Sequence, residues 1–289
     1  MKKSLSILSL LFGLFVCVTA FSACGGGDEP SSGGNNGSSN NNQTPGNNQT
    51  PSTPTQSSKH VTKIITEEGS SFYESSFTYD SQGRVTKVIK TQSGTGTNSY
   101  SETEYQYGEM LIISKMTGER TLTNGQYITD SETHSYTLDN GRIVKDEDKQ
   151  GSSLNSIISS RTEIYSYDAN NYLSSMSATG SNIVSDTKKL TWSDGNLIKL
   201  GNRSFEYSNY PWTKGFFLYL DGSNMDECLS AMGYYGNIPK NLPSKTIASE
   251  TSGYTYDYTF EGSYVTKVVI TPFVENNKSH KSISTIIWE

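Results

Sequence analysis

The sequence has few cysteines and no long apolar segment after its first residues. Of its three cysteines, Cys17 and Cys24 lie in or beside the N-terminal apolar stretch, which leaves Cys228 for the rest of the chain. A single cysteine excludes an intramolecular disulfide, so packing must stabilise the fold. No apolar run after Cys24 approaches the roughly 20 residues that a membrane-spanning helix needs.

Basic residues are too scattered for nucleic-acid binding. The 289 residues include 23 Lys and Arg against 29 Asp and Glu, with a formal net charge of −6. Neutralising phosphate groups requires clustered cations, and the chain has no basic block. We therefore expect no nucleic-acid partner.

Sequence signatures of common catalytic and metal sites are missing. The chain has no G-x-S-x-G, H-E-x-x-H, P-loop or G-x-G-x-x-G. DEDKQG (146–151) begins like a calcium loop, but Ile157 stands where such a loop needs Glu. We interpret His60, His134 and His280 as surface residues of unrelated strands. We therefore predict no catalytic residue, metal site or cofactor, while a pair of glycosidase carboxylates would leave no local signature.

The N-terminus has the pattern of an export signal. Lys2 and Lys3 precede the apolar run 5–18, and residues 21–23 form a small-residue exit. The run is too short for a spanning helix. Cys24 occupies the position of a lipobox cysteine, so residues 1–23 resemble a bacterial lipoprotein signal peptide, which implies acylation of Cys24 and a membrane partner. The alternative is a plain signal peptide with a cysteine there by chance.

Residues 24–58 have the composition of a tether. From Gly25 to Ser58 the chain contains no aliphatic or aromatic residue, so it cannot bury enough apolar surface to become ordered. Flexible-coil scaling gives a reach of roughly 30 Å. Asp28 and Glu29 resemble the surface-export signal of Bacteroidetes lipoproteins. We expect a lipid-anchored outer-membrane protein at the cell surface, with the periplasmic face as the alternative.

Residues 59–289 repeat one pattern. FTYDSQGRVTKV (77–88) has relatives in YTLDNGRIVK (136–145), LTWSDGNLIK (190–199) and YTFEGSYVTKV (258–268). Each has an aromatic-x-aromatic pattern in which Leu can replace one of the two rings. A polar turn with Gly or Asn and an aliphatic-x-Lys return follow, which is typical of a β-hairpin. Val85 and Val88 are three residues apart, which requires a bulge or a sheet covered on both faces.

The repeats predict an all-β domain. Seven hairpins, an opening strand at 60–65 and a closing strand at 282–289 give about sixteen antiparallel strands in an up-and-down meander. Such a sheet is either a barrel or strongly rolled. Strands such as SYSETEYQY (99–107) are polar on both faces, so we expect the domain to stand in water rather than in lipid.

One hairpin is interrupted by an insertion at 208–243. Met225, Cys228, Leu229 and Met232 follow helical spacing, which predicts one short helix. Asn224 and Glu227 resemble a capping box, and Gly233 is a natural stop. Cys228 then lies on the apolar face, as a small buried residue rather than a nucleophile. We expect the insertion to plug or roof the sheet.

These features together resemble a known family. The Y-x-Y-D…G-R-V units are similar to the tyrosine–aspartate repeats of Rhs-like proteins. Together with the lipobox, the tether and GYYGNIPKNLPSK (233–245), they more closely resemble a family of Bacteroidetes surface lipoproteins of unknown function with a porin-like fold. The resemblance implies a rolled β-meander and brings no activity, cofactor or catalytic residue.

The sequence favours a binding role without identifying the ligand. Aromatic side chains off the regular sheet suit contact with a sugar or a protein. The candidate ligand-binding residues are Trp212, Phe216, Tyr219, Tyr234 and Tyr235. We expect a non-enzymatic lipoprotein that binds an extracellular glycan or protein. The alternatives are a structural or assembly subunit that uses an open sheet edge, and a polysaccharide hydrolase.

Overall fold

A computed structural model of the chain describes most of the repeat region. The described residues are 59–94, 98–153, 155–181, 183–212, 216, 225–274 and 280–289, without the side chains of 155–158, 183–185 and 274. The predicted signal peptide, Cys24 and the tether lie outside these residues, as do Tyr219 and Asn224. Among the described residues, no helix has the length and apolar character needed to cross a membrane.

The described chain forms sixteen strands and one helix. In chain order they are β1 (Val61–Glu68), β2 (Ser71–Tyr79), β3 (Val85–Ser93), β4 (Asn98–Tyr107), β5 (Leu111–Thr121), β6 (Tyr127–Asp139), β7 (Arg142–Ser152), β8 (Asn155–Tyr167), β9 (Leu173–Gly180), β10 (Ile183–Ser193), β11 (Asn196–Leu200), β12 (Arg203–Pro211), α1 (Glu227–Ala231), β13 (Asn241–Ser249), β14 (Ser252–Glu261), β15 (Tyr264–Val274) and β16 (Ser282–Trp288). The predicted all-β fold with one late helix is confirmed.

The strands follow one another around a closed antiparallel barrel. Each strand pairs with its sequence neighbours, and β1 pairs with β16 with Ile64 opposite Ile286. The sequence left open whether the sheet is a closed barrel or only strongly rolled, and the structure shows a closed barrel. Closure also pairs the outer edges of the first and last strands, so the described part of the sheet has no open edge.

A β-bulge recurs just after the repeat turns. Opposite β2, Tyr79 pairs with Val85 but Thr78 pairs with Lys87, so Thr86 is the extra residue. The bulge turns both Val85 and Val88 into the barrel, where they are 0% and 2% exposed. The same register shift occurs opposite β6, β8, β10 and β14. The spacing of three is therefore explained by a bulge.

Hydrogen bonds from aromatic side chains to backbone carbonyls connect successive hairpins. Tyr79 Oη donates to the carbonyl of Val61 at 2.7 Å, and Tyr107 Oη to that of Val85 at 2.6 Å. Trp192 makes the equivalent bond through its indole N–H, 2.8 Å from the carbonyl of Leu173. The repeated aromatic residue therefore has a structural role at the inner face of the barrel.

The repeat turns all lie at one end of the barrel, which we call the turn end. The aspartate of the repeat caps its own turn there. Asp80 Oδ1 accepts from the backbone N–H groups of Gln82 and Arg84 at 2.8 and 3.0 Å, and Asp168 accepts equivalently from Asn170 and Tyr172. The Y-x-Y-D pattern thus joins a strand end to its turn.

The insertion enters the barrel from the turn end. Leu229 of α1 is fully buried among strand side chains, together with Phe216, Cys228 and Tyr235. Asp226 caps the helix by accepting from the Leu229 N–H at 2.9 Å. The capping residue is thus Asp226 rather than Asn224, because the helix begins at Glu227. Gly233 follows the helix with a φ of 75°, as its place in the sequence predicts.

The end of the insertion is fitted closely to the strand turns. Gly236 has a φ of 80°, and a Cβ there would lie 2.4 Å from the carbonyl oxygen of Asn171. Asn237 donates from its backbone to the same carbonyl at 2.9 Å. The NH of Ile143 binds the carbonyl of Tyr234 at 2.7 Å. Glycine is required at 236, since any side chain would collide with the turn.

Candidate functional site

A polar recess lies inside the barrel, next to Met225 and Asp226 of the insertion. Its volume is about 280 Å³. Strands β6 and β7 contribute Glu132, His134, Tyr136, Asp146, Asp148 and Gln150. Strand β8 and the insertion contribute Arg161, Glu163, Met225 and Asp226. Five carboxylates therefore face one histidine and one arginine.

The period of the strands brings these side chains together. Glu132 and His134 are two apart on β6, and Asp146 and Asp148 are two apart on β7, so each pair shares a face. The register of the hairpin sets His134 opposite Asp148. The recess is thus a direct consequence of two short polar patterns on paired strands.

His134 is held by a carboxylate on one side. Its Nδ1 lies 2.9 Å from Asp146 Oδ2 and 3.1 Å from Oδ1. An ionised carboxylate only accepts hydrogen bonds, so Nδ1 is the donor. The ring also stacks on Tyr136, with centroids 5.3 Å apart and planes 1° from parallel. The imidazole is therefore fixed in orientation, with Nε2 directed to the other side.

Two carboxylates stand on the Nε2 side of His134. Nε2 lies 3.3 Å from Glu132 Oε1 and 4.0 Å from Asp148 Oδ1. Gln150 bridges the two acids, donating from Nε2 to Glu132 Oε1 at 2.5 Å and to Asp148 Oδ2 at 3.0 Å. The side chains of Glu132 and His134 remain 26% and 21% exposed, so solvent reaches the group.

Burial and neighbouring charges shift the pKa values of His134, Asp148 and Glu132. Burial alone lowers the pKa of His134, but hydrogen bonds and charges from Asp146 and Glu132 outweigh it and raise the pKa to about 10. Burial raises the pKa of Asp148 to about 6 against the opposing charge of His134, and the charges of Glu132 and Asp146 contribute to the increase. Burial also raises that of Glu132, but His134 more than compensates and the net pKa is lowered.

The remaining carboxylates of the recess are bound to protein partners. Asp226 accepts from Tyr105 Oη at 3.0 Å and Tyr136 Oη at 3.4 Å besides capping α1. Glu163 accepts from Arg161 and from Tyr165 Oη. These two acids therefore fix the walls of the recess.

Of the predicted aromatic residues, the four that the structure describes do not line the recess. Phe216 and Tyr235 are 0% and 4% exposed, with Phe216 edge-on to Tyr258 and Tyr235 edge-on to Tyr165. Trp212 and Tyr234 are half-buried, and Tyr219 lies outside the described residues. Of the described members, Trp212 and Tyr234 are therefore the ones that a ligand could reach. The aromatic ligand site stays a prediction.

The sequence analysis missed the recess because its parts lie on different strands. His134 does not lie on an outer surface, as we expected, but faces the lumen among carboxylates. His60 is half-buried and His280 exposed. The usable signal was Glu-x-His in one strand and Asp-x-Asp in the next, which a hairpin register through Asn140-Gly141 places side by side. Asp146 and Asp148, considered only as part of a calcium loop, are ladder residues of β7.

Comparisons with known proteins concern the fold. A family model described as a domain of unknown function (DUF4595) with porin-like fold matches residues 77–268. Among solved structures, a porin-like protein from Bacteroides vulgatus is similar at 12% identity, with 79% of this chain and 98% of that chain covered and a TM-score of 0.25. No curated protein matches the chain. The resemblance to Rhs-like repeats stays a prediction.

Proposed function

The chain belongs to this family of unknown function with a porin-like fold, and we propose that it is a non-enzymatic binding protein tethered to the cell envelope. Its ligand enters the polar recess of the barrel. The lipid on Cys24 and the tether 24–58 hold the domain at the outer membrane, on the cell surface.

The surplus of carboxylates in the recess is the observation that carries this proposal. Burying charge is costly, and a lumen built for stability alone would be filled with apolar side chains. Groups with displaced pKa values in a recess are typical of functional sites. The recess, at about 280 Å³, lies just below the roughly 300–1,000 Å³ of small-molecule sites. It therefore favours a small polar ligand or the end of a glycan over a protein surface.

The outer face of the barrel supports a domain that stands in water. Lys63 pairs with Glu74 at 2.8 Å and Lys87 with Glu102 at 2.6 Å. These residues alternate with the buried ones on their strands and so point outward. A membrane barrel needs an apolar band on that face, which ion pairs of this kind would interrupt.

The two alternative functions have less support. Assembly through an open sheet edge requires an unpaired end strand, whereas β1 pairs with β16. A polysaccharide hydrolase requires two carboxylates about 5–9 Å apart along an open cleft. In the recess, one oxygen each of Glu132 and Asp148 lies within 4.8 Å of the other, and Gln150 bridges the pair. We retain binding without catalysis as the proposed function.

A ligand screen on the full chain tests the proposal. Glycan arrays and thermal-shift measurements with small cationic and sugar ligands should give at least one specific ligand. The isosteric variant Glu163→Gln should weaken its binding, because it alters the recess wall, while Trp212→Leu at the insertion should leave it unchanged. Binding lost only in Trp212→Leu would move the site to the insertion, and turnover of a bound glycan would establish a hydrolase.

A second measurement tests the proposed location at the outer membrane. Cys24→Ser should release the protein from the membrane fraction, and external protease should remove the domain from intact cells. Retention of Cys24→Ser on membranes would contradict the lipid anchor. Protection of the wild-type domain from protease would favour the periplasmic face.

A further inference from the structure

The Nε2 side of His134 has the donor set of a metal site. One imidazole nitrogen and one oxygen each from Glu132 and Asp148 lie within 4.8 Å of one another. We propose that His134 Nε2, Glu132 and Asp148 bind a first-row divalent metal ion such as Zn²⁺ inside the barrel. This inference rests on the proposed binding function and specifies the ligand of the same recess.

The orientation of the imidazole is the first support. A histidine that binds a metal usually donates its second ring N–H to a carboxylate, which fixes the tautomer and the ring plane. Asp146 plays this part, with its Oδ2 2.9 Å from Nδ1. The stacked ring of Tyr136 holds the same plane. Nε2 is therefore presented to the metal position before any ion arrives.

An unsatisfied buried oxygen is the second, independent support. Asp148 is 6% exposed, and its Oδ1 has no hydrogen-bond partner. His134 Nε2 lies 4.0 Å from this oxygen, which is beyond hydrogen-bond reach. A buried carboxylate oxygen left without a donor is costly. A cation between Asp148 and His134 would satisfy it.

Gln150 organises the two acids for the same purpose. Its amide donates to one oxygen of Glu132 and one of Asp148, at 2.5 and 3.0 Å. The hydrogen bond from Gln150 to Asp148 uses Oδ2, so Oδ1 is the oxygen left for the ion. Gln150 thus bridges Glu132 and Asp148, and because its amide is neutral it removes neither negative charge.

The mixed donor set selects the kind of ion. Calcium takes six to eight oxygen ligands, whereas Zn²⁺ and its neighbours combine imidazole nitrogen with carboxylate oxygen, commonly with three protein ligands and one open position. Arg161 lies in the same recess but is paired with Glu163.

Calorimetric titration of chelator-treated full chain with ZnCl₂ tests the site. We expect one ion per chain and a loss of affinity of at least about tenfold in His134→Gln and in the isosteric Asp148→Asn. Asp146→Asn should weaken binding by about 10- to 100-fold, the usual effect of the orienting partner. His280→Gln, an exposed histidine outside the recess, is the matched control and should bind as the wild type does.

Cobalt substitution gives a readout that needs no variant. Co²⁺ bound at the recess should show the intense visible bands of a four-coordinate ion, and excess Zn²⁺ should abolish them. A wild-type chain that binds neither ion, or variants His134→Gln and Asp148→Asn that remain folded by circular dichroism and bind like the wild type, would overturn the inference. Failure here leaves the ligand screen with glycans unaffected, so the two proposals fail separately.

Discussion

The phenolic oxygen of Tyr167 donates a 2.6 Å hydrogen bond to the carbonyl oxygen of Ile143, which belongs to the preceding hairpin. Arg142, the neighbour of Ile143, lies over the same ring at 4.7 Å from its centroid. The β8–β9 hairpin is thus fastened to the one before it through its repeated aromatic residue, as Tyr79 and Tyr107 fasten theirs. A thin hairpin is at best marginally stable alone, so these bonds connect the repeat in the sequence to the closure of the barrel.

Replacing Tyr167 by Phe should destabilise the barrel by about 1 to 3 kcal/mol. The ring is retained, but the buried carbonyl of Ile143 loses this donor. Urea unfolding of the two proteins measures the difference. Tyr210→Phe is the control, because Tyr210 is 52% exposed, and it should leave the midpoint unchanged. Equal midpoints for all three proteins would show that the hydroxyl contributes nothing.

The carboxylate of Asp80 should make stability depend on acidity. Burial raises its pKa, but the hydrogen bonds from Arg84 and Gln82 and the charge of Arg84 outweigh it, and the net pKa lies below 3.8. A lowered pKa in the folded state means that the stabilisation is complete above the unfolded value of about 3.9 and is lost as the pH falls through the folded value.

The comparison of wild type with Asp80→Asn tests this dependence. The wild type should be the more stable at pH 7, and the difference should shrink as the pH is lowered below the unfolded value of about 3.9, because the variant has no proton to gain at this position. Chemical unfolding at a series of pH values measures it. A difference that stays constant with pH would assign the role of Asp80 to shape rather than charge.

The repeat and the strand count were readable from the sequence because they depend on local chemistry. The turn after Tyr79, the bulge that turns Val85 and Val88 inward and the short helix each have a signal within a dozen residues. Closure was not readable, since the pairing of Ile64 with Ile286 joins the two ends of the chain. Composition alone does not distinguish a rolled sheet from a barrel.

The recess escaped prediction for a related reason. Its central contact, His134 to Asp146, crosses a hairpin whose bulge shifts the register by one residue. Without the bulge, His134 would not be paired with Asp148, and the side chains on the two faces of β6 and β7 would be matched differently. A single histidine on a strand is ordinarily interpreted as a surface residue. The aromatic residues of the insertion drew attention because they are conspicuous, yet Phe216 and Tyr235 are packed in the core.

Cys228 should be unreactive in the folded chain. The side chain is 4% exposed, and burial, with Asp226 beside it, raises the pKa of the thiol well above its usual value. Only a thiolate attacks a thiol reagent readily. In a chain with Cys17 and Cys24 replaced by serine, labelling should require denaturant. Rapid labelling under native conditions would reveal an accessible, activated thiol.

Leu229→Ala in helix α1 should cost about 2 to 5 kcal/mol. Leu229 is fully buried, and its truncation leaves a cavity that the surrounding strands cannot fill. The control is Ile238→Ala in the same insertion, where the side chain is 37% exposed and the cost should be small. Thermal unfolding of both variants compares them. Similar melting temperatures would mean that the helix contributes little packing.

Excising the insertion gives the strongest test of its role. The backbone N–H of Trp212 donates to the carbonyl of Lys240 at 2.8 Å, so its ends are close enough for a short Asn-Gly turn to replace residues 213–239. If the insertion fills the turn end, removal exposes the apolar layer around Ile143 and Leu173, and a shortened chain should unfold at lower temperature and aggregate. A shortened chain that stays monomeric and melts like the wild type would show that the strands fill their own lumen.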